Sequence, residues 1–308
     1  MNNRSYSDYA LLMLKGIAMG IANKIPGVSG GIVAVVTGFY KELIFSFQRL
    51  NFKAIYLLFR GRFRSFWQYI NGAFLVTLLL GIIVSYFTLS LILDVALNTY
   101  PHHVWALFFG LVLASAILLY RDYSSWQPKT IVFALVGLAV GVCLSYLSPS
   151  EQNASLIYVF LCGVISIIGM ILPGLSGSFL LILMGNYTFL LVDAVNGFGR
   201  WIVSPFLAVE LTSKDPHYAL IFGVFLAGSV VGISGLSSLI HRIQQKANDE
   251  LQAAIIGFVF GSLFILWPTN RVVNLETYMH EKTLFWTILW GLIGLLIVFV
   301  LDYYERKK

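Results

Sequence analysis

The sequence predicts an all-α polytopic membrane protein made of two inverted repeats, each a re-entrant helical hairpin plus three transmembrane helices. Three observations carry this. Of 308 residues, 58% are hydrophobic and 11% charged, too few charges to coat a water-soluble globule. Uncharged stretches recur at 66–93, 104–120, 130–148, 152–192, 218–240, 251–267 and 283–301, as chains that cross or fill a hydrocarbon layer require. The pattern Pro-Gly-x-Ser-Gly occurs twice, at Pro26-Gly27-Val28-Ser29-Gly30 and Pro173-Gly174-Leu175-Ser176-Gly177, 147 residues apart.

The same offset pairs Gly16 with Gly163, Gly38 with Gly185, Tyr40 with Tyr187, Gly110 with Gly257 and Ser115 with Ser262. One register holding so many matches reads as a duplication, with repeat 1 over 1–150 and repeat 2 over 151–308. The stretch 152–192 holds 41 residues without a charge, about 60 Å as one helix and roughly twice the hydrocarbon thickness. Pro173 and Gly174 lie near its middle, where proline ends a helix and glycine permits a reversal. The stretch is therefore expected to enter and leave on one face, and residues 11–40 to form the matching hairpin around Pro26 and Gly27. Spans 66–93, 104–120 and 130–148 complete the first repeat, and spans 218–240, 251–267 and 283–301 the second.

The charges test returning hairpins against segments that cross once. With returning hairpins the N-terminus, 41–65, 121–129, 241–250 and the C-terminus are cytoplasmic and hold 15 basic residues, against four outside, Arg200, Lys214, Arg271 and Lys282. Single crossings give at best 12 inside and seven outside, so the positive-inside asymmetry favours the returning form. Three spans and a hairpin per half then start the second half on the opposite face, which makes the repeats inverted and puts a polar substrate near the midplane between broken helices. Small-xxx-small pairs Gly16/Gly20, Gly137/Gly141, Gly228/Gly232 and Gly257/Gly261 suit close helix packing.

The net charge of +6 is concentrated in the loop 41–65, with Lys41, Arg49, Lys53, Arg60, Arg62 and Arg64. This is topology signal rather than a nucleic-acid surface. Cys143 and Cys162 lie in apolar runs without metal-ligand spacing and read as small buried hydrophobes. No cofactor or metal is expected. Met1 to Ala10 carries Arg4 and Asp8 and lacks a cleavage pattern, so the first apolar segment is expected to stay in the protein.

Each tip carries chemistry. After the Pro-Gly turn a helix restarts with Ser29 or Ser176 at its N-cap and Gly30-Gly31 or Gly177-Ser178 behind it. Unpaired amides and a partial positive charge at a helix start, with glycine letting an oxyanion approach, make an anion cradle. Lys24 is the only charge between Lys15 and Lys41; a lysine at that depth costs about 2.5–3.5 kcal/mol on insertion scales, which an anion would offset. Asn23 is a second polar ligand or a cap for the first half-helix. Tyr40 and Tyr187 read as interfacial anchors, His102 and His103 as an external loop with proton sensing as the alternative, and Asp193, Glu210 and Asp215 as solvated.

The run Gly16-x-x-Met19-Gly20-x-Ala22-Asn23-x-Ile25-Pro26-Gly27-Val28-Ser29-Gly30-Gly31 with Gly38-Phe39-Tyr40 resembles the signature of the bacterial polyprenyl-phosphate transporter family. The second copy, Pro173 to Ser178 with Gly185-Asn186-Tyr187, resembles that family's second signature. The resemblance covers the whole chain. It implies a translocase that returns undecaprenyl phosphate from the outer to the cytoplasmic leaflet of the bacterial inner membrane for cell-envelope polymer synthesis, peptidoglycan included. A coupling proton or cation is an open partner. The family commonly has Asp at position 23 and Thr at position 32, where this chain has Asn23 and Ile32, so a coupling role at position 23 loses its carboxylate.

Two other functions compete. A carrier of small anions would use the same tips. Membrane polyprenyl-diphosphate phosphatases pair a Pro-Gly-x-Ser motif with an Arg and a Glu-rich segment, but here Gly30 and Gly177 take the Arg place and no Glu-x-x-x-Glu occurs. No nucleophile with a base and no paired carboxylates lie in the apolar runs, so an enzyme is not expected.

Overall fold

The computed structural model describes residues 5–49, 52–147, 152–171, 175–207, 209–267 and 281–307, and no strand occurs among them. Helix is the form in which an apolar segment bonds all its backbone groups internally. α1 (Tyr6–Lys24) stops one residue short of the Ile25-Pro26 bond, since a residue before proline is pushed out of helical conformation. Gly27, at φ 78°, turns the chain. α2 (Gly30–Val36) and α3 (Tyr40–Gln48) follow. The segment expected as a basic loop instead folds further, as α4 (Phe52–Phe59) and α5 (Phe63–Tyr69). α6 (Gly72–Thr99), α7 (Pro101–Asp122) and α8 (Pro128–Leu147) complete the first half.

In the second half come α9 (Leu156–Ile171), α10 (Gly177–Leu183), a π-helical turn at Phe189–Asp193 and α11 (Ala194–Val203). α12 (Asp215–Leu266) is bent where Ala247 leaves helical geometry at φ −148° and ψ 49°. α13 (Glu281–Arg306) is the last helix. Among the described residues five helical segments are long and apolar enough to cross a membrane: Gly72–Thr99, Pro101–Asp122, Asp215–Gly232, Gln245–Leu266 and Leu284–Arg306. They match five of the six expected spans, and α8 covers the sixth. Apolar side chains such as Leu79, Leu80, Ile83, Leu292 and Leu296 are exposed along α6 and α13, as on helices whose solvent is lipid. The chain is a multi-pass membrane protein.

The chain packs as two compact units, Met1–Lys24, Ser29–Leu89 and Leu301–Lys308 in one, and Ile25–Val28 with Ser90–Val300 in the other. In the first, Leu12, Ala34, Phe39, Leu43, Phe74 and Leu78 form a buried core joining α1, α2, α3 and α6. A Cβ at Gly16 would meet the Leu78 carbonyl, one at Gly81 the Met13 carbonyl, and one at Gly20 the backbone of Ile82. The contact advances in the same direction along both helices, so α1 and α6 run parallel.

The second unit repeats this contact at the 147-residue offset. A Cβ at Gly163 would meet the Phe225 carbonyl and one at Gly228 the Phe160 carbonyl, while Gly232 lies on Val164, so α9 runs parallel to the first limb of α12. A second glycine-lined contact pairs α8 with the second limb of α12, through Gly137 on Ala254, Gly141 on Phe258, Gly257 on Ala134 and Gly261 on Leu138. These two also run parallel. α7 and α13 meet in the matching way, Gly110 on Gly291 and Gly294 on Leu107. Each half's middle span is thus seated on the other half's last span, with glycines letting backbone meet backbone.

Replacing Gly228 by Leu drives a side chain into the Phe160 carbonyl and is expected to lower stability by about 1–3 kcal/mol or to prevent folding. Gly223→Ala, which points into open space, is expected to be neutral. Thermal unfolding of the two purified variants in detergent separates them.

Candidate functional site

α2 and α10 are equivalent helices of seven residues, and the offset relates their surroundings bond by bond. Thr37 N donates to the Val33 carbonyl and Phe39 N to the Ala34 carbonyl; Met184 N donates to Leu180 and Asn186 N to Leu181 in the same way. Gly38 at φ 81° and Gly185 at φ 72° then redirect the chain, in a left-handed conformation that glycine adopts at no steric cost. The carbonyl just past each short helix is capped from the preceding long helix. Lys15 Nζ donates to the Thr37 carbonyl at 2.7 Å, and Tyr158 Oη to the Met184 carbonyl, its equivalent, at 2.8 Å. Asn186 and Asn153 exchange hydrogen bonds of 2.8 and 2.9 Å, tying the end of α10 to the residues just before α9.

At the first tip the Gly30 amide donates to Asn23 Oδ1 at 3.1 Å and the Gly31 amide to Ser29 Oγ at 3.2 Å. The sequence suggests free amides; here two of them are satisfied from within. Asn23 and Ser29 hold the helix start, and Ser29 is exposed. Ser115 donates to the Gly27 carbonyl and to Leu111 at 3.0 Å, so a hydroxyl from α7 fixes the turn itself. Sequence reading matched Ser115 with Ser262 as a repeat pair without giving either this work. Lys24 is fully buried: its ammonium donates to the Tyr86 carbonyl at 2.9 Å and lies 4.7 Å from the centre of the Tyr86 ring.

At the second tip Pro173 and Gly174 lie outside the described residues. Ser176 is the N-cap of α10 but makes no capping bond with its side chain; its hydroxyl bonds that of Ser178 at 2.6 Å, and both serines and Gly177 are buried. No described residue accepts from the amides of Gly177, Ser178 or Phe179. The second tip therefore offers hydroxyls and backbone donors whose mutual bond an anion could replace, whereas donors at the first tip are already engaged.

Several side chains depart from expectation. Tyr187 is 2% exposed, not an interfacial anchor, and meets Phe108 edge-on at 5.5 Å, whereas Tyr40 is exposed. Asp215 is not solvated. It is buried, accepts the Arg200 fork at 2.7, 3.1 and 3.2 Å and also takes the Thr212 amide, since a planar guanidinium matches a carboxylate in bidentate geometry. Cys143 is exposed on α8, while Cys162 is buried. His103 sits in the first turn of α7 among the rings of Tyr100, Trp286 and Trp290, not in a loop.

A family described as undecaprenyl phosphate translocase-like matches residues 19–284, which includes both tips. The chain is 32% identical over 268 residues to a protein named polyprenyl-phosphate transporter from Vibrio cholerae serotype O1, covering 87% of this chain and 80% of that one. It is 28% identical over 279 residues to a protein of the same name from Staphylococcus aureus, covering 85% and 88%. No solved structure matches the chain. The kinship is with transporters and not with enzymes. With the match running through both Pro-Gly-x-Ser tips and most of the helices between and after them, the chain belongs to the undecaprenyl phosphate translocase-like family.

Proposed function

We propose that the protein moves undecaprenyl phosphate from the outer to the cytoplasmic leaflet of a bacterial inner membrane, by alternating access, for reuse in cell-envelope polymer synthesis. The phosphate is held at two re-entrant tips, by Ser176, Gly177 and Ser178 in repeat 2 and by Ser29, Gly30, Gly31, Asn23 and Lys24 in repeat 1, where it takes over donors that are bonded internally in its absence. Pro26-Gly27 forms the turn of the first tip, and Pro173-Gly174, outside the described residues, is assigned the same role in the second by the repeated motif. The isoprenoid tail stays in lipid throughout, so only the head group needs a polar path. Both relatives carry the name of a polyprenyl-phosphate transporter, which supports this substrate class.

The observation that carries the mechanism is the parallel packing of α1 on α6 and of α9 on α12. Two successive long helices in one chain can run parallel only if the segment between them returns to the starting side. That supports hairpins that enter and leave on one face, while the placement of both termini in the cytoplasm is supported by the distribution of basic residues. Inversion is supported by the second contact. α7 and α8 are joined by the five residues Tyr123–Gln127, a length typical of a helical hairpin, while α8 runs parallel to the second limb of α12, the counterpart of α7. The counterparts then point in opposite directions, as repeats related by an axis in the membrane plane must.

Removing the donors should disable recognition. Ser29→Ala with Ser176→Ala, and separately Lys24→Met, are expected to weaken binding of the lipid phosphate about 10-fold or more, since hydrogen bonds to a charged group are worth about 1.5–3 kcal/mol each. They are also expected to abolish rescue of a bacterial strain lacking its other carriers of this lipid, while the protein still reaches the membrane. Full rescue by every variant would place the head group elsewhere.

Selectivity separates a lipid carrier from a small-anion carrier. In liposomes, unlabelled polyprenyl phosphate is expected to displace a labelled analogue, and inorganic phosphate at equal concentration is not. Strong competition by inorganic phosphate would favour the small-anion reading. Phosphate release from a lipid diphosphate by the purified protein would contradict a transporter altogether.

A further inference from the structure

The tips leave one polar locus of the second unit unexplained. Ser90 and Asp94 lie one turn apart on α6, and the segment 189–196 rests against that face. Ser90 Oγ reaches the carbonyls of Leu191 and Val192, each at 3.0 Å, and Asn196 Nδ2 reaches the Ser90 carbonyl at 3.5 Å. Asp193 closes the π-helical turn and lies within electrostatic reach of Asp94. Asn196 follows it at i+3, on the same helical face. π-helical turns inside a helix are rare and concentrate at functional positions.

The charges here do not balance. Asp193 is faced by Asp94 from α6, by Arg200 from its own helix and by Tyr218 from α12, with Asp215 beyond. The Arg200 guanidinium is already forked onto Asp215. Among the described residues, the three carboxylates Asp94, Asp193 and Asp215 thus share the Arg200 cation. Beside them, Asn196 is 6% exposed and its Oδ1 has no hydrogen-bond partner among the described residues. A buried acceptor in that state is unfavourable unless something donates to it or coordinates it.

The first half solves the same position differently. At the 147-residue offset, Ser46 stands for Asp193 and Arg49 for Asn196. Arg49 brings its own cation, which donates to the Tyr69 carbonyl at 3.1 Å and covers the Phe45 ring at 4.0 Å. Where one repeat carries a covalently attached guanidinium, the other carries a carboxylate and an orphaned amide oxygen.

We propose that Asp193 and Asn196, with Ser90 and Asp94, bind a small monovalent cation, either Na⁺ or a proton. Among the described residues no three His, Cys, Asp or Glu side chains could together hold a metal ion, so the donors suit a singly charged ion better than a divalent metal. Occupancy does not depend on the transport reading. Its use in coupling does rest on that reading, which puts the ends of α6 and of the second hairpin on the outer side, so that the ion enters from outside.

The test uses the full-length protein in lipid nanodiscs without any lipid phosphate substrate. The unfolding midpoint is followed as NaCl replaces choline chloride at constant ionic strength, and in choline alone between about pH 5.5 and 8.5. A saturable rise with Na⁺ is expected if Na⁺ is the ligand, and a rise with falling pH if a proton is. Either rise should vanish in Asp193→Asn and Asn196→Ala and survive in the Ser29→Ala, Ser176→Ala double variant. Asn196→Asp, which adds a carboxylate, should lower the Na⁺ midpoint about 10-fold if Na⁺ is the ligand. Absence of both responses in the unmodified protein, or their persistence in both Asp193→Asn and Asn196→Ala, overturns the proposal. Loss of head-group binding with an intact cation response would fail the transport reading alone.

Discussion

A helix that stops inside an apolar layer leaves amides and carbonyls that only protein can satisfy. Two helices of this chain, α1 and α9, stop within apolar sequence and meet that requirement. The first break is held by Asn23, Ser29 and Ser115, which between them engage the Gly30 and Gly31 amides and the Gly27 carbonyl. On the far side of each short helix the opposite problem arises, a loose carbonyl, and the long helix before it supplies the donor: an ammonium from Lys15 in one repeat, a phenol from Tyr158 in the other. Two unlike residues, about one helical turn apart in the 147-residue register, perform one task on equivalent carbonyls. The backbone geometry is therefore preserved more closely than the side chains that support it.

Packing between long helices obeys a different constraint. Lipid offers no hydrophobic drive for helices to associate, so close approach at small residues supplies much of the attraction. Gly16, Gly81, Gly163 and Gly228 set two contacts in matching register, and Gly110, Gly137, Gly257 and Gly294 set two more. The second pair exchanges partners between the halves. Neither half of the chain buries its own middle and last spans against each other in this way, so each supplies a surface that the other half needs.

Much of this was legible in the residues. The 147-residue offset located the starts of both short helices and paired the glycines that follow them, though not as their ends, because proline and glycine act on the backbone directly and leave a local mark. Apolar runs overlap the five long apolar helices among the described residues, with ends displaced by up to eight residues. What could not be read was anything set by a distant partner. Ser115 looks like any small residue on a span until its hydroxyl meets Gly27. Asp215 looks like a loop carboxylate until Arg200 reaches back across 15 residues to it. Tyr187 has an anchor's chemistry but lies against Phe108. The basic stretch 41–65 carried a clear topology signal that masked its helical folding in α3, α4 and α5.

The backbone-on-backbone seating of α9 against α12 also limits how the molecule can change shape. Ridges formed by bare carbonyls and Cα atoms mesh with a pitch of one helical turn, so sliding by less than about 5.4 Å would set backbone against backbone. Such a pair behaves as a stiff beam. Flexing is then confined to places where the main chain has rotational latitude, and Gly38 and Gly185, both in the left-handed region, mark one such joint at the base of each short helix. A conformational cycle built on this scaffold would swing the short helices about those two joints while the long beams keep their alignment.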